Sequence, residues 1–198
     1  MPGGSVGRPL PGEAPLRFLV ILIVLVVVVG LALVLLYNNL VRLRNRIEGA
    51  WAQIDVQLKR RYDLIPNLVE TVKGYASHEK ETLDAVVRAR NAAGSASGPA
   101  DQAQAESVVT SALRQVFALS EAYPDLKANQ GFLQLQEELA GTEGRISYAR
   151  QYYNDTVLRY NTKIQTFPAV LIANAMRFQE REYFEADDTS RGPVQVQF

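Results

Sequence analysis

The chain has 198 residues, with 21 Lys and Arg against 21 Asp and Glu, so its formal net charge is zero. That balance argues against a generic nucleic-acid binder, which would be markedly basic. It contains no Cys and a single His, His78, which excludes disulfides, thiolate metal sites, cysteine nucleophiles and cysteine lipidation, and leaves too few of the usual ligands for a zinc site.

Residues 1–17, MPGGSVGRPLPGEAPLR, are rich in Pro and Gly and read as a disordered N-terminal segment. FLVILIVLVVVVGLALVLL then runs over residues 18–36 without a polar side chain. As a helix this run is ~28 Å long, close to the hydrocarbon thickness of a bilayer. A core helix would normally show a polar face. A signal peptide would have a shorter apolar stretch and a small-x-small cleavage site, which the following YNNLVRLRNR does not offer. The run is therefore expected to be an uncleaved single-pass transmembrane helix in the cell membrane. Its flanks carry Arg8 and Arg17 on one side and Arg42, Arg44 and Arg46 on the other. This asymmetry slightly favours a cytoplasmic C-terminal domain. The three membrane-proximal arginines also suit anionic lipid, at ~1 kcal/mol per residue near the surface.

After the span, Leu40, Leu43, Ile47, Ala50, Ile54, Leu58, Ile65, Leu68 and Val72 recur at helical steps and predict a helix over about 37–76. Ser77 is expected to cap a second helix over 78–91. NAAGSASGPA, at 91–100, has the composition of a loop, and Asp101 can cap a third helix over 101–122. A fourth helix is expected over 129–167. Pro168 then ends it or begins a short helix over 168–178, and 179–198 is a C-terminal tail whose VQVQF alternates as a strand would.

The expected fold is all-α: a single N-terminal transmembrane helix followed by an elongated antiparallel up-and-down four-helix bundle with two long and two short helices. Two helices extend beyond the other two, so residues 40–58 and 148–167 would form a two-helix stalk that buries its apolar stripe poorly. Trp51, Tyr148, Tyr152, Tyr153, Tyr160 and Phe167 lie on that stalk. The tail, a second copy or another protein should cover them. Asn38 and Asn45 are seven apart, as are Asn154 and Asn161. Asparagine beside a helical seam can fix register or partner choice. Trp51, the four tyrosines, Asn154, Asn161 and Phe167 are therefore the candidate oligomer or partner surface. FPAVLIANAMRF, at 167–178, is expected either to lie near the lipid headgroups or to close the stalk.

The long stretches YNNLVRLRNRIEGAWAQIDVQLKRRYDLIPNLVETVKGYASHEKETLDAVVRAR and EAYPDLKANQGFLQLQEELAGTEGRISYARQYYNDTVLRYNTKIQTFP resemble the LemA family of bacterial membrane-anchored proteins over roughly 37–186. The resemblance implies an N-terminal span, a helical bundle and no established enzymatic activity. It also implies the company of a membrane-embedded zinc protease of the heat-shock type.

Catalytic signatures are missing. HEKET at 78–82 lacks the second His of a zinc-protease motif, and GSASG at 94–98 has Ala96 where a nucleophilic Ser would stand. Glu137 and Glu138 point about 100° apart on a helix, so they do not converge with Glu143 on one site. No enzyme activity and no cofactor are expected. Asp55–Lys59, Asp84–Arg88 and Asp155–Arg159 have the spacing of stabilising helix pairs.

Within KRRYDLIPNLVE, at 59–70, the basic residues fan around the helix and make no compact patch. Pro66 cannot donate to the carbonyl of Tyr62 and is expected to kink the helix. The sequence thus points to a membrane-anchored, non-catalytic helical scaffold. Its expected partners are the lipid bilayer and a second copy, as a homo-oligomer, and not nucleic acid. The alternative is an adaptor or sensor for a membrane-embedded zinc protease in envelope stress.

Overall fold

A computed structural model describes residues 13–185. Six helices follow in chain order: α1 (Glu13–Lys73), α2 (Lys80–Ala93), α3 (Pro99–Leu119), α4 (Pro124–Lys127), α5 (Gln130–Gln165) and α6 (Ala169–Ala175). The described residues contain no strand. The tail from Phe178 to Glu185 has no regular secondary structure, and VQVQF lies outside the described residues, as does most of the Pro- and Gly-rich start. The chain divides into two compact units. One holds α1 as far as Arg42 together with Lys163–Gln179, and the other holds Leu43–Thr162 with the chain from Glu180.

In the first unit every side chain from Phe18 to Leu35 is exposed. This helix is long and apolar enough to cross a membrane, and none of its most apolar window is buried. Burial sets in at Leu36 and is complete at Leu40. The short α6 turns Ala169, Ile172 and Ala173 inward. Pro168 is its N-cap residue and follows a cis peptide bond.

In the second unit α1 continues without interruption through Pro66 to Lys73. The chain then turns on backbone bonds, with the Ala76 amide donating to the Val72 carbonyl at 2.8 Å. Ser77 does not cap α2. The N-cap position is Glu79, without a side-chain capping bond. The Glu79 carboxylate instead accepts from the Tyr123 hydroxyl at 3.0 Å, which ties this turn to the segment before α4. Asp101 does not cap α3 either. Gly98, at φ 87°, is the N-cap residue, and α3 opens on Pro99. Proline is suited to a first turn because its missing amide would be unbonded there anyway, and Asp101 then sits where a negative charge favours the helix dipole. Asn129 caps α5, its Oδ1 accepting from the Phe132 amide at 2.9 Å.

One apolar core joins Ile65, Leu68 and Val72 of α1, Leu83 and Val86 of α2, Val109, Leu113 and Val116 of α3, Leu126 of α4, and Phe132 and Leu139 of α5. Phe132 meets Phe117 edge-on at 6.1 Å. Burying each large apolar side chain contributes ~1.5–3 kcal/mol. Elsewhere in this unit Ile47, Ile54 and Leu58 of α1, and Ile146, Tyr153, Val157 and Tyr160 of α5, are also buried.

Candidate functional site

On α1 the buried stripe runs Ile54, Leu58, Arg61, Ile65, Leu68, Val72, so one arginine takes a core position. On α3 Gln102 and Glu106 do the same, beside Ala103 and Val109. These misplaced polar residues find one another. Arg61, only 3% exposed, pairs with Glu106 at 3.1 Å and with Glu143 of α5 at 2.7 Å. It also donates to the Thr110 hydroxyl at 2.7 Å. The other Glu106 oxygen accepts one bond from the Tyr62 hydroxyl and another from Gln102 Nε2 at 3.2 Å. Gln102 also donates to Tyr62 Oη at 2.9 Å and to the Ala93 carbonyl at 3.2 Å. Burial, with the carboxylate of Glu106 next in importance, pushes the Tyr62 hydroxyl above its ordinary range, so it stays neutral and donates.

A polar cavity of about 300 Å³ opens beside this cluster, lined by Arg61, Glu106, Thr110, Arg114, Glu143 and Arg150. Burial lowers the Arg150 pKa. Its guanidinium lies 4.7 Å above the Phe184 ring.

Pro66 has no amide hydrogen to donate to the carbonyl four residues back. It leaves the Tyr62 carbonyl without an intrahelical donor. Arg90 of α2 supplies one, its Nε donating to that carbonyl at 3.1 Å. The other members of the basic triplet stay outside, where Arg60 reaches Glu138 at 3.9 Å and Lys59 is exposed. Among the described residues, the ion pairs within one exposed helix face are Arg44–Glu48 at 3.5 Å and Glu70–Lys73 at 3.7 Å, and not the three acid-first pairs that spacing suggested.

The asparagines on α5 meet the chain's own tail. Asn161 Oδ1 accepts from the Arg181 amide at 2.9 Å, and its Nδ2 donates to the Arg181 carbonyl at 2.9 Å. Asn154 makes the same pair of bonds with Phe184, at 2.8 Å and 3.1 Å. Seven helical residues rise ~10 Å, about the span of three extended residues, so the two ladders match. Between them the Tyr153 hydroxyl donates to the Glu182 carbonyl at 2.9 Å. Trp51 packs against the rings of Tyr153 and Phe184 at 5.6 Å and 5.9 Å. Arg181 reaches Glu48 at 3.6 Å.

Of the candidate surface residues, Tyr153, Tyr160 and Asn161 are therefore buried, and Trp51 and Asn154 are half-buried. They do not form an open surface, because the tail fills it. Tyr148 at 73% exposed and Tyr152 at 40% remain open in the second unit, and Phe167 at 80% in the first. Asn38 and Asn45 are exposed. Arg42 donates to the Asn38 carbonyl at 3.3 Å, Arg44 pairs with Glu48, and Arg46 is exposed.

One groove of the second unit is not filled by the described residues. It measures about 730 Å³ and is lined by Ala52, Val56 and Gln57 of α1 and by Gly141, Gly144, Tyr148 and Ala149 of α5, among others. A Cβ added at Gly141 or Gly144 would meet nothing within 4 Å. Among the described residues, Gln57 Oε1 is the buried side-chain atom left without a hydrogen-bond partner.

An exposed apolar helix fit to cross a bilayer, joined to tightly paired helices, defines an all-helical, membrane-associated protein. The chain belongs to the LemA family, whose family model matches residues 50–198. It is similar to Protein LemA of Metamycoplasma hominis, with 27% identity over 96% of this chain and 88% of the relative. It is also similar to Magnetosome protein MamQ 2 of Paramagnetospirillum magneticum, at 23% identity over 92% of this chain and 77% of the relative. Magnetosome protein MamQ of Magnetospirillum gryphiswaldense is 22% identical over the same shares.

Proposed function

We propose that this chain is a single-pass, membrane-anchored, non-catalytic helical scaffold that docks a second copy of itself through the groove between α1 and α5. On this reading α1, α2, α3 and α5 form an up-and-down antiparallel bundle, and the three arginines after the span keep it on the cytoplasmic side.

The observation that carries the reading is the pair of glycines in the groove. A helix-interior Gly destabilises by ~0.5–1 kcal/mol relative to Ala. Among the described residues, nothing comes within 4 Å of a Cβ added at Gly141 or Gly144. A helix approaching from outside needs that space, since small residues let two helix backbones come close. Exposed Val56 and Tyr148 beside them offer apolar contact. A single span holds every copy in one plane and one orientation, which favours a symmetric encounter of like faces.

The non-catalytic part of the proposal rests on the state of the buried polar groups. Glu106 is bound by Arg61, Tyr62 and Gln102, and Arg61 by Glu106, Glu143 and Thr110. Acids and bases saturated by one another are poorly placed to move a proton. Chemical crosslinking of the full chain in native membranes, with mass spectrometry of the products, tests the docking. Self-links through α1 and α5 are the expected result, and recovery of the chain as a monomer only would refute it.

A further inference from the structure

The first unit places α6 beside the end of the apolar run. Tyr37 of α1 meets Phe178 edge-on at 6.0 Å. An apolar groove of about 500 Å³ lies between the helices. Leu33 and Val34 of α1 form one wall, and Leu171 and Met176 belong to the other. Leu33 and Val34 fall within residues 18–36, the run read as crossing the bilayer. Leu33 lies about 4.5 Å before the end of that run by helical rise. A groove whose first wall is at hydrocarbon depth cannot have its second wall in bulk water.

The chemistry of α6 agrees with that placement. PAVLIANAM, at 168–176, contains no charged residue, while Lys163 and Arg177 flank it. Long basic side chains at such positions keep their charge at the interface while their stems follow apolar surface. Ala169, Ile172 and Ala173 satisfy the inward face, yet Phe167, Leu171 and Met176 are each more than half exposed. In water these three would form an apolar patch joined to the groove.

We propose that α6 is a second membrane anchor, seated at the boundary of headgroups and acyl chains of one leaflet, with a lipid acyl chain in the groove against Leu33, Val34, Leu171 and Met176. The inference rests on α1 crossing the bilayer, and its test separates the two. The chain has no native Cys, so single cysteines can be labelled cleanly. Leu171→Cys, Val26→Cys and Asp84→Cys each receive a nitroxide in the full chain, reconstituted in phosphatidylcholine–phosphatidylglycerol vesicles.

Collisions with oxygen, which concentrates in lipid, are compared with collisions with a water-soluble nickel chelate. The Leu171 label should be oxygen-dominated like Val26, and Asp84 nickel-dominated. A nickel-dominated Leu171 beside an oxygen-dominated Val26 overturns the α6 anchor and leaves the span intact. Nickel dominance at both sites removes the span and the second anchor together. Shielding of Leu171 from both probes would mean that protein rather than lipid covers the groove, which also overturns the proposal.

Discussion

Arg61 is held at a core position by partners from two other helices. Desolvating such a cation is expensive, and only the full set of partners offsets it. Removing one member should therefore be worse than removing the pair. Arg61→Leu strands Glu106 in the interior and should destabilise the chain by about 3–5 kcal/mol. Arg61→Leu combined with Glu106→Leu should recover a large part of that loss. Denaturant unfolding of the full chain, followed by Trp51 fluorescence, measures both, and a double variant as damaged as the single would contradict this account.

The position of Arg61 in the stripe is readable from the sequence, since 54, 58, 61, 65, 68 and 72 step by four and three. Its three-way pairing is not, because Glu106 and Glu143 come from helices whose rotation about their axes the periodicity fixes only coarsely. Charges that spacing alone would pair, such as Asp55 and Lys59, sit on solvated faces where i,i+4 pairing is worth ~0.2–0.5 kcal/mol and competes with water.

At the scale of the element, two devices stabilise backbone that a helix alone leaves unsatisfied. The first is the Arg90 contact with the Tyr62 carbonyl. Arg90→Met should destabilise by about 1–3 kcal/mol, the range for an acceptor that loses a charged donor. Pro66→Ala restores an amide at position 66 and should shrink the effect of Arg90→Met, so the two changes are coupled in a double-mutant cycle of unfolding free energies. Additive values would show that Arg90 does not serve the gap left by the proline.

The second device is the tail ladder on Asn154 and Asn161. Asn161→Leu should speed hydrogen exchange at the Arg181 amide and Asn154→Leu at the Phe184 amide, while core amides keep their protection. Unchanged exchange at both would remove the asparagines from the role assigned to them. The seven-residue spacing marks these asparagines in the sequence, and the need to cover the aromatic residues around them is legible there too. That the tail does the covering is not, because residues 177–185 carry no periodicity and pair through their backbone rather than through a side-chain pattern.

For the whole molecule, the apolar run is the strongest signal in the sequence because it needs no tertiary information. The described residues otherwise hold helices and irregular connections with no strand, and the family model covers most of the chain. The open groove is legible only with the structure, since glycines inside a helix look alike whether they face a neighbour or empty space. On the proposed function, a second copy fills that space. Gly144→Cys in this Cys-free chain, oxidised in native membranes, tests it most directly, with Asp84→Cys as the control on an exposed face. A disulfide-linked dimer is expected for Gly144→Cys and none for Asp84→Cys. A chain that stays monomeric at Gly144→Cys while remaining in the membrane fraction would contradict it.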